Sequence, residues 1–205
     1  MVITRIVAGK ADPTKANIYI DEKFAFSLPA EAVYAYGLKK GAEITYERFE
    51  ELSKQKETLK AKSKALDYLS RRPHSEKELR QKLSKKGISD EAVDDSLEYL
   101  KDKGYQSDEE YARALNEKGQ RALWSNRRIM YELILKGVDR ELAGEILEPF
   151  ADQDEKIKRL AFKRGGNLED SARKKIIDGL MRQGYSYGEI AQALNELVED
   201  CEFLG

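Results

Sequence analysis

The first 45 residues alternate between apolar and polar positions, which is the period of β-strands. The segment IYIDEKFAFSL places Asp21-Glu22-Lys23 as a turn between two runs whose shared apolar face would be formed by Ile18, Ile20, Phe24, Phe26 and Leu28. An earlier strand is expected from Val2, Ile3, Ile6 and Ala8. Pro29 suits the first turn of a short helix that Gly37 can end. The pattern predicts a small β-rich N-terminal module, residues 1–45.

From Thr45 onward the apolar period becomes helical, with Phe49, Leu52, Leu59, Leu66 and Leu69 separated by three or seven residues. The central segment KQKETLKAKSK is almost wholly polar. We interpret residues 46–61 as a connecting helix that is solvated in its centre and anchored at both ends. A hinge near Lys60 is the alternative.

Beyond this helix one pattern occurs three times. Alignment of Gly87, Gly137 and Gly184 superimposes LRQKLSKKGIS, IMYELILKGVD and IIDGLMRQGYS, with offsets of 50 and then 47 residues. Six columns then match in apolar character: Leu79, Ile129, Ile176; Leu83, Leu133, Leu180; Ile88, Val138, Tyr185; Val93, Ala143, Ile190; Leu97, Leu147, Leu194; Leu100, Phe150, Leu197. We expect three repeats, residues 62–106, 107–151 and 152–205, each with three helices.

The helix ends of these repeats carry local signals. A serine followed three residues later by a glutamate can satisfy the unpaired amides of a first turn, and this spacing occurs at Ser75/Glu78, Ser107/Glu110 and Ser186/Glu189. Glycines that can take a positive φ stand where helices should stop, at Gly87, Gly104, Gly137 and Gly184. Since one such unit buries little apolar surface, neighbouring units should stack. The predicted fold is therefore mainly α, with three tandem three-helix repeats in an elongated curved array behind the β-rich module.

Each repeat contains a helix, a glycine turn and a second helix, which is also the pattern of a DNA-reading helix-turn-helix. Base reading needs Arg, Asn or Gln near the start of the second helix. The first repeat instead has six carboxylates there, which a phosphate backbone would repel: Asp90, Glu91, Asp94, Asp95, Glu98 and Asp102. The pattern therefore favours packing units over sequence-specific DNA readers.

Composition excludes several kinds of protein and site. The 205 residues carry a net charge of −1, so any nucleic-acid contact must come from a local patch. The single cysteine, Cys201, indicates a reducing compartment, and no apolar run is long enough for a membrane span, so we expect a cytoplasmic protein. The single histidine, His74, is expected at the surface, and Gly165-Gly166 is an isolated pair. We expect no enzyme, no metal and no cofactor.

Basic residues recur near the junction of the first and second helices of each repeat. Stacking would align them into a basic stripe suited to an anionic groove or an acidic partner. We assign to this stripe Arg71, Arg72, Arg80, Arg121, Trp124, Arg127, Arg128, Lys163, Arg164, Arg173 and Lys174. Solvated helix ends, where the helix dipole favours cations, are the alternative. Trp124 is either an anchor for a partner or a packing residue.

The segment ALDYLSRRPHSEKELRQKLSKKGISDEAVDDSLEYLKDKGYQSDEEYA, residues 65–112, closely resembles the first repeat of RecX proteins, bacterial modulators of the RecA recombinase. The second repeat continues the resemblance in RRIMYELILKGVDRELAGEIL, and the third repeat is less similar. The N-terminal module resembles the extension of longer members, with IYIDEKFAFSLP as the best match. The family often has glycine where this chain has Ser125, so the loop at Trp124 is expected to differ.

The resemblance implies a crescent of three repeats in the helical groove of a RecA filament on single-stranded DNA. It also implies suppression of RecA ATP hydrolysis, strand exchange and co-protease activity, and thus a role in recombinational DNA repair and the SOS response. No catalytic site is carried over; Arg71, Arg72, Arg80, Arg127 and Arg128 fall on motif positions. Charge reversal at Arg127 and Arg128 is expected to weaken filament binding without lowering the unfolding temperature. The alternatives are a DNA-binding helical-repeat protein independent of RecA, and a scaffold for another helical protein.

Overall fold

The computed structural model describes residues 1–10, 12–150, 153–163 and 170–203. It is mostly helical. The described residues form strands β1 (Ile3–Ala8), β2 (Lys15–Ile20) and β3 (Lys23–Pro29) and helices α1 (Ala30–Ala35), α2 (Tyr46–Leu69), α3 (Glu76–Ser84), α4 (Asp90–Asp102), α5 (Asp108–Arg121), α6 (Asn126–Leu135), α7 (Arg140–Leu147), α8 (Asp154–Lys163), α9 (Asp170–Arg182) and α10 (Tyr187–Phe203).

The N-terminal strands form an antiparallel sheet in the order β1-β2-β3. Asp21 and Glu22 make the two-residue turn between β2 and β3 with positive φ values of 47° and 67°, as a tight hairpin requires. The predicted hairpin is therefore confirmed. The prediction for Phe24 is wrong, because an irregularity after Ile18 pairs Phe24 with Tyr19 and leaves it 58% exposed. The buried face is lined by Ile18, Ile20, Phe26 and Leu28, which pack with Leu52 of α2.

Helix α2 is continuous for 24 residues, without a hinge at Lys60. Thr45 starts it by accepting a hydrogen bond from the Arg48 amide at 3.2 Å. The expectation of a solvated centre is wrong for one face, because Ala61 is fully buried with the core formed by α2, α3 and α4. A methyl side chain there lets α4 approach closely, and Lys54 of α2 forms an ion pair with Glu91 of α4 at 3.0 Å.

The predicted repeat is confirmed by three helical cores. The first core joins α2, α3 and α4, the second α5, α6 and α7, and the third α8, α9 and α10. The first five aligned columns are buried in all three repeats, and in the sixth Leu100 is buried and Leu197 partly buried, while the Phe150 side chain lies outside the described part of the chain. Gly87, Gly137 and Gly184 end the middle helices with φ values of 70°, 85° and 97°.

The serine caps also form as predicted. The hydroxyl oxygens of Ser75, Ser107 and Ser186 accept hydrogen bonds from the amides three residues later at 3.2, 3.2 and 3.3 Å. At Ser186 the Glu189 carboxylate also accepts from the Ser186 amide at 2.6 Å, which completes the capping box. Glu78 does not close its box in this way, because its carboxylate pairs with Arg72 and Lys136.

The chain divides into two compact units. The first contains Met1–Arg71 and Leu79–Tyr105, and the second contains Arg72–Glu78 and Gln106–Gly205. The first turn of α3 thus belongs to the second unit. Within the described ranges, no helix has both the length and the apolar character that crossing a bilayer would need.

Candidate binding surface

In the second unit the same helix contact occurs twice. The first turn of α3 meets the last turn of α6, where the Ser75 hydroxyl donates to the Lys136 carbonyl at 2.7 Å. The first turn of α6 meets the last turn of α9, where the Ser125 amide donates to the Gln183 carbonyl at 3.0 Å. Both serines occupy one column of the repeat, and so do both carbonyls. We call this contact the repeat joint.

The repeat joint also satisfies the first amide of each entering helix. The Glu76 amide of α3 donates to the Asp108 carboxylate at 2.8 Å, and the Asn126 amide of α6 donates to the Gln153 side-chain oxygen at 2.9 Å. Amides of a first turn have no partner inside their own helix. Here residues further along the chain supply the acceptors, so the contact holds the first turns of α3 and α6 within the second unit.

Arg127 and Arg128, two residues of the predicted basic stripe, contribute to the second repeat joint. The Arg127 guanidinium donates to the Gly184 carbonyl at 2.7 and 3.1 Å. Arg128 donates to the Arg182 carbonyl at 3.1 Å and to the Gln183 side-chain oxygen at 3.0 Å. Carbonyls at a helix C-terminus attract cations. We therefore correct the expectation for charge reversal at these arginines, which should also lower the unfolding temperature.

Glu78 holds two cations in the first repeat joint. Its carboxylate accepts from Arg72 at 2.9 and 3.4 Å and forms an ion pair with Lys136 at 3.0 Å. Burial raises the pKa of Glu78, but the hydrogen bonds from Arg72 and Lys136 outweigh it and leave that pKa below its ordinary value. The carboxylate is thus charged at neutral pH and offsets part of the positive charge around it.

Trp124 lies half-buried in the loop between α5 and α6. It packs against the second core, and the Arg128 guanidinium lies 4.1 Å from its ring centroid, with the Lys118 ammonium at 5.7 Å. Its indole also borders a cavity of about 460 Å³, which is lined by Arg72, Pro73, Glu78, Tyr111, Ala114, Leu115, Lys118, Trp124, Glu132 and Lys136. Trp124 is therefore a packing residue of the second core, and one edge of its indole also remains open to the cavity.

The cationic lining of this Trp124 cavity was predicted in part. Arg72 and Trp124 were assigned to the basic stripe, whereas Lys118 and Lys136 were missed. The available signal for Lys118 was its place in the last turn of α5, close in sequence to Trp124. Tyr111 shares the cavity, where burial and the nearby Glu78 carboxylate raise its pKa to about 12, so it is neutral. The cavity suits an anionic or aromatic ligand group.

The other predicted stripe residues have varied surroundings. Arg71 and Lys174 are exposed. Arg80 pairs with the Asp94 carboxylate, Arg121 pairs with Glu117, and Arg173 donates to the Asn195 side-chain oxygen at 2.9 Å. Of Lys163 the structure describes the helical backbone alone, and Arg164 lies outside the described residues.

Two further expectations are settled by local contacts. His74 is not at the surface: it is 3% exposed, and its Nδ1 lies 3.0 Å from the Arg72 carbonyl oxygen. Ser125 is buried as the N-cap of α6, with its hydroxyl accepting from the Arg128 amide at 3.1 Å, while the positive φ of this loop falls on Leu123. The serine thus fits the loop without strain.

In the described part of the chain, no group of three His, Cys, Asp or Glu residues could hold a metal ion.

Three family models match the chain. They are "Regulatory protein RecX N-terminal domain" over residues 1–45, "RecX, first three-helix domain" over residues 61–100 and "RecX, second three-helix domain" over residues 107–147. Together they match more than half of the chain.

Whole proteins with similar sequence and structure carry the same name. "Regulatory protein RecX" of Caldanaerobacter subterraneus subsp. tengcongensis is 33% identical over 198 residues, which cover 95% of this chain and 99% of that protein. The protein of the same name from Bacillus licheniformis is 34% identical over 201 residues, covering 95% of this chain and 76% of the relative. A crystal structure of regulatory protein RecX superimposes with a TM-score of 0.71 and 26% identity, over 95% of this chain and 98% of that one. RecX from Lactobacillus salivarius gives a TM-score of 0.59 with 26% identity, over 69% of this chain and 96% of its own.

Proposed function

The chain belongs to the RecX family of regulatory proteins, and from this premise we propose that it binds RecA filaments on single-stranded DNA and inhibits them. It acts without catalysis of its own, in recombinational DNA repair and the SOS response in the cytoplasm. Inhibition covers the ATPase, strand-exchange and co-protease activities of RecA.

The Trp124 cavity carries the proposal. Arg72, Lys118 and Lys136 surround it, and Glu78 offsets the charge of two of them, so Lys118 is the exposed cation that has no carboxylate partner in the described contacts. A cation beside an indole ring suits a phosphate next to a base, and also an acidic side chain. Either group is available in a RecA filament on DNA.

Repetition of the joint supports a multivalent mechanism. Several weak contacts on one body add avidity when their spacing matches that of the partner, which favours an assembled filament over free subunits. The remaining cations of the basic stripe, including Arg71, Arg80, Arg121, Arg173 and Lys174, are proposed as the additional contacts. The curved array and the repeat boundaries 62–106, 107–151 and 152–205 remain predictions from the sequence.

The test is DNA-dependent ATP hydrolysis by RecA, with the wild-type chain or its Lys118→Glu variant titrated in. Loss of one charged contact costs about 1 kcal/mol or more, so the variant should need at least about fivefold more protein for half-inhibition. Lys103→Glu is the control, because Lys103 is an exposed lysine directly after α4 and does not line the Trp124 cavity. No effect of excess wild-type protein on hydrolysis would refute the proposal. Equal loss of inhibition in the two variants would show that the Trp124 cavity is not a contact site for the filament.

Binding to DNA without RecA distinguishes the alternative function. A net charge of −1 predicts weak binding to free DNA. Tight binding to duplex DNA at physiological salt, falling steeply as salt rises and accompanied by no effect on RecA, would favour an independent DNA-binding repeat protein.

A further inference from the structure

The outer face of the N-terminal sheet carries a row of three side chains, one from each strand. Arg5 of β1 pairs in register with Tyr19 of β2, and Tyr19 pairs with Phe24 of β3. The Arg5 guanidinium lies 3.9 Å from the centroid of the Tyr19 ring. The Tyr19 and Phe24 rings meet edge to face with centroids 5.8 Å apart. We call these three residues the aromatic row.

The aromatic row faces solvent. Phe24 is 58% exposed, and Arg5 is exposed as well. The next row on this face contains Val7, Asn17 and Ser27, so neither row contains a carboxylate. The acidic groups of the adjoining turn are Asp21 and Glu22, and the Asp21 carboxylate accepts a hydrogen bond from the Val2 amide at 2.8 Å.

We propose that the aromatic row binds single-stranded nucleic acid, with an unpaired base stacked on Phe24 and Arg5 close to the adjoining phosphate. Sheet faces that present aromatic rings beside cations bind unpaired bases, because every base offers a flat ring face. A protein partner would be expected to cover a wider apolar patch. On this face the large apolar side chains that are exposed are Phe24 and Val7.

This inference goes beyond the proposed function, because it places a second nucleic-acid contact in the N-terminal module and needs no RecA. Duplex DNA keeps its bases stacked inside the helix, so it cannot use Phe24 in the same way. The aromatic row should therefore discriminate between single and double strands, whereas a purely basic patch would not.

The experiment measures fluorescence anisotropy of a labelled oligothymidylate of about 20 nucleotides with the full chain, without RecA. Phe24→Ala should weaken binding about 5- to 150-fold, which corresponds to the usual range of about 1–3 kcal/mol for one stacked base. Phe24→Tyr keeps a ring and should retain most of the affinity. Arg5→Ala should remove about one phosphate contact. The plot of log K against log [salt] should then become less steep by roughly 0.7, the value for one contact with a single strand.

Tyr34 provides the matched control. It is 91% exposed in the same module, on α1 and not on the sheet, so Tyr34→Ala should leave oligothymidylate binding unchanged. Phe24→Ala should also leave binding to a duplex unchanged. No detectable binding of the oligothymidylate would overturn the inference, and so would equal affinities of the wild type and Phe24→Ala. RecA inhibition without oligonucleotide binding would refute the aromatic row alone and leave the proposed function intact.

Discussion

Replacement of Gly184 by alanine tests whether the repeat joint contributes to stability. Gly184 has a φ of 97°, and a Cβ there would lie 2.5 Å from the Ser125 hydroxyl oxygen and 2.7 Å from the Arg128 Cβ. Gly87 occupies the same repeat column with a φ of 70°, but a Cβ there would have no neighbour within 4 Å. Gly87→Ala therefore introduces the backbone strain without the close contact.

The two substitutions should differ by the cost of the close contact with Ser125 and Arg128. A positive φ costs a non-glycine residue about 1–2 kcal/mol, and this applies to both variants. Gly184→Ala must also displace Ser125, whose cap on the Arg128 amide contributes about 0.5–2 kcal/mol. We expect Gly184→Ala to lower the free energy of unfolding by about 1–2 kcal/mol more than Gly87→Ala does.

Urea unfolding followed by far-UV circular dichroism and Trp124 fluorescence provides the measurement. A Ser125→Ala background removes the hydroxyl that the new Cβ would meet, so there the extra cost of Gly184→Ala should shrink. Equal destabilisation by Gly87→Ala and Gly184→Ala would show that Ser125 and Arg128 accommodate the new Cβ without loss of stability. An extra cost that Ser125→Ala leaves unchanged would show that the hydroxyl is not its source.

Two further predictions concern the first repeat joint. Ser75→Ala loses both the helix cap and the bond to the Lys136 carbonyl and should cost about 1–3 kcal/mol by urea unfolding, whereas Ser107→Ala, which loses a cap alone, should cost about 1. The pKa of Glu78 is depressed by folding, so its stabilisation is present above the ordinary value of 4.5 and is lost as the pH falls through the lower, folded value. Glu78→Gln should therefore flatten the fall in thermal stability below about pH 4.5, and an unchanged acid profile would contradict this assignment.

The repeat and its helix ends were predictable because their causes are local. Apolar spacing gave the cores, and the capping serines and turn glycines act on amides and φ angles within a few residues. Phe24 was placed on the wrong face because one irregularity in a strand reverses the alternation that the prediction assumed. His74 was misplaced because a single histidine has no periodic neighbours that would indicate burial.

The sequence by itself determined the helices, the glycine turns and the threefold repeat, since each depends on residues close together in the chain. The tertiary structure alone decided which cations are available to a partner. Arg127 and Arg128 bind carbonyls 57 and 54 residues away, whereas Lys118 borders the Trp124 cavity. A guanidinium in a basic segment has the same local pattern whether it binds a distant carbonyl or faces solvent, because its partner is set by how the helices pack.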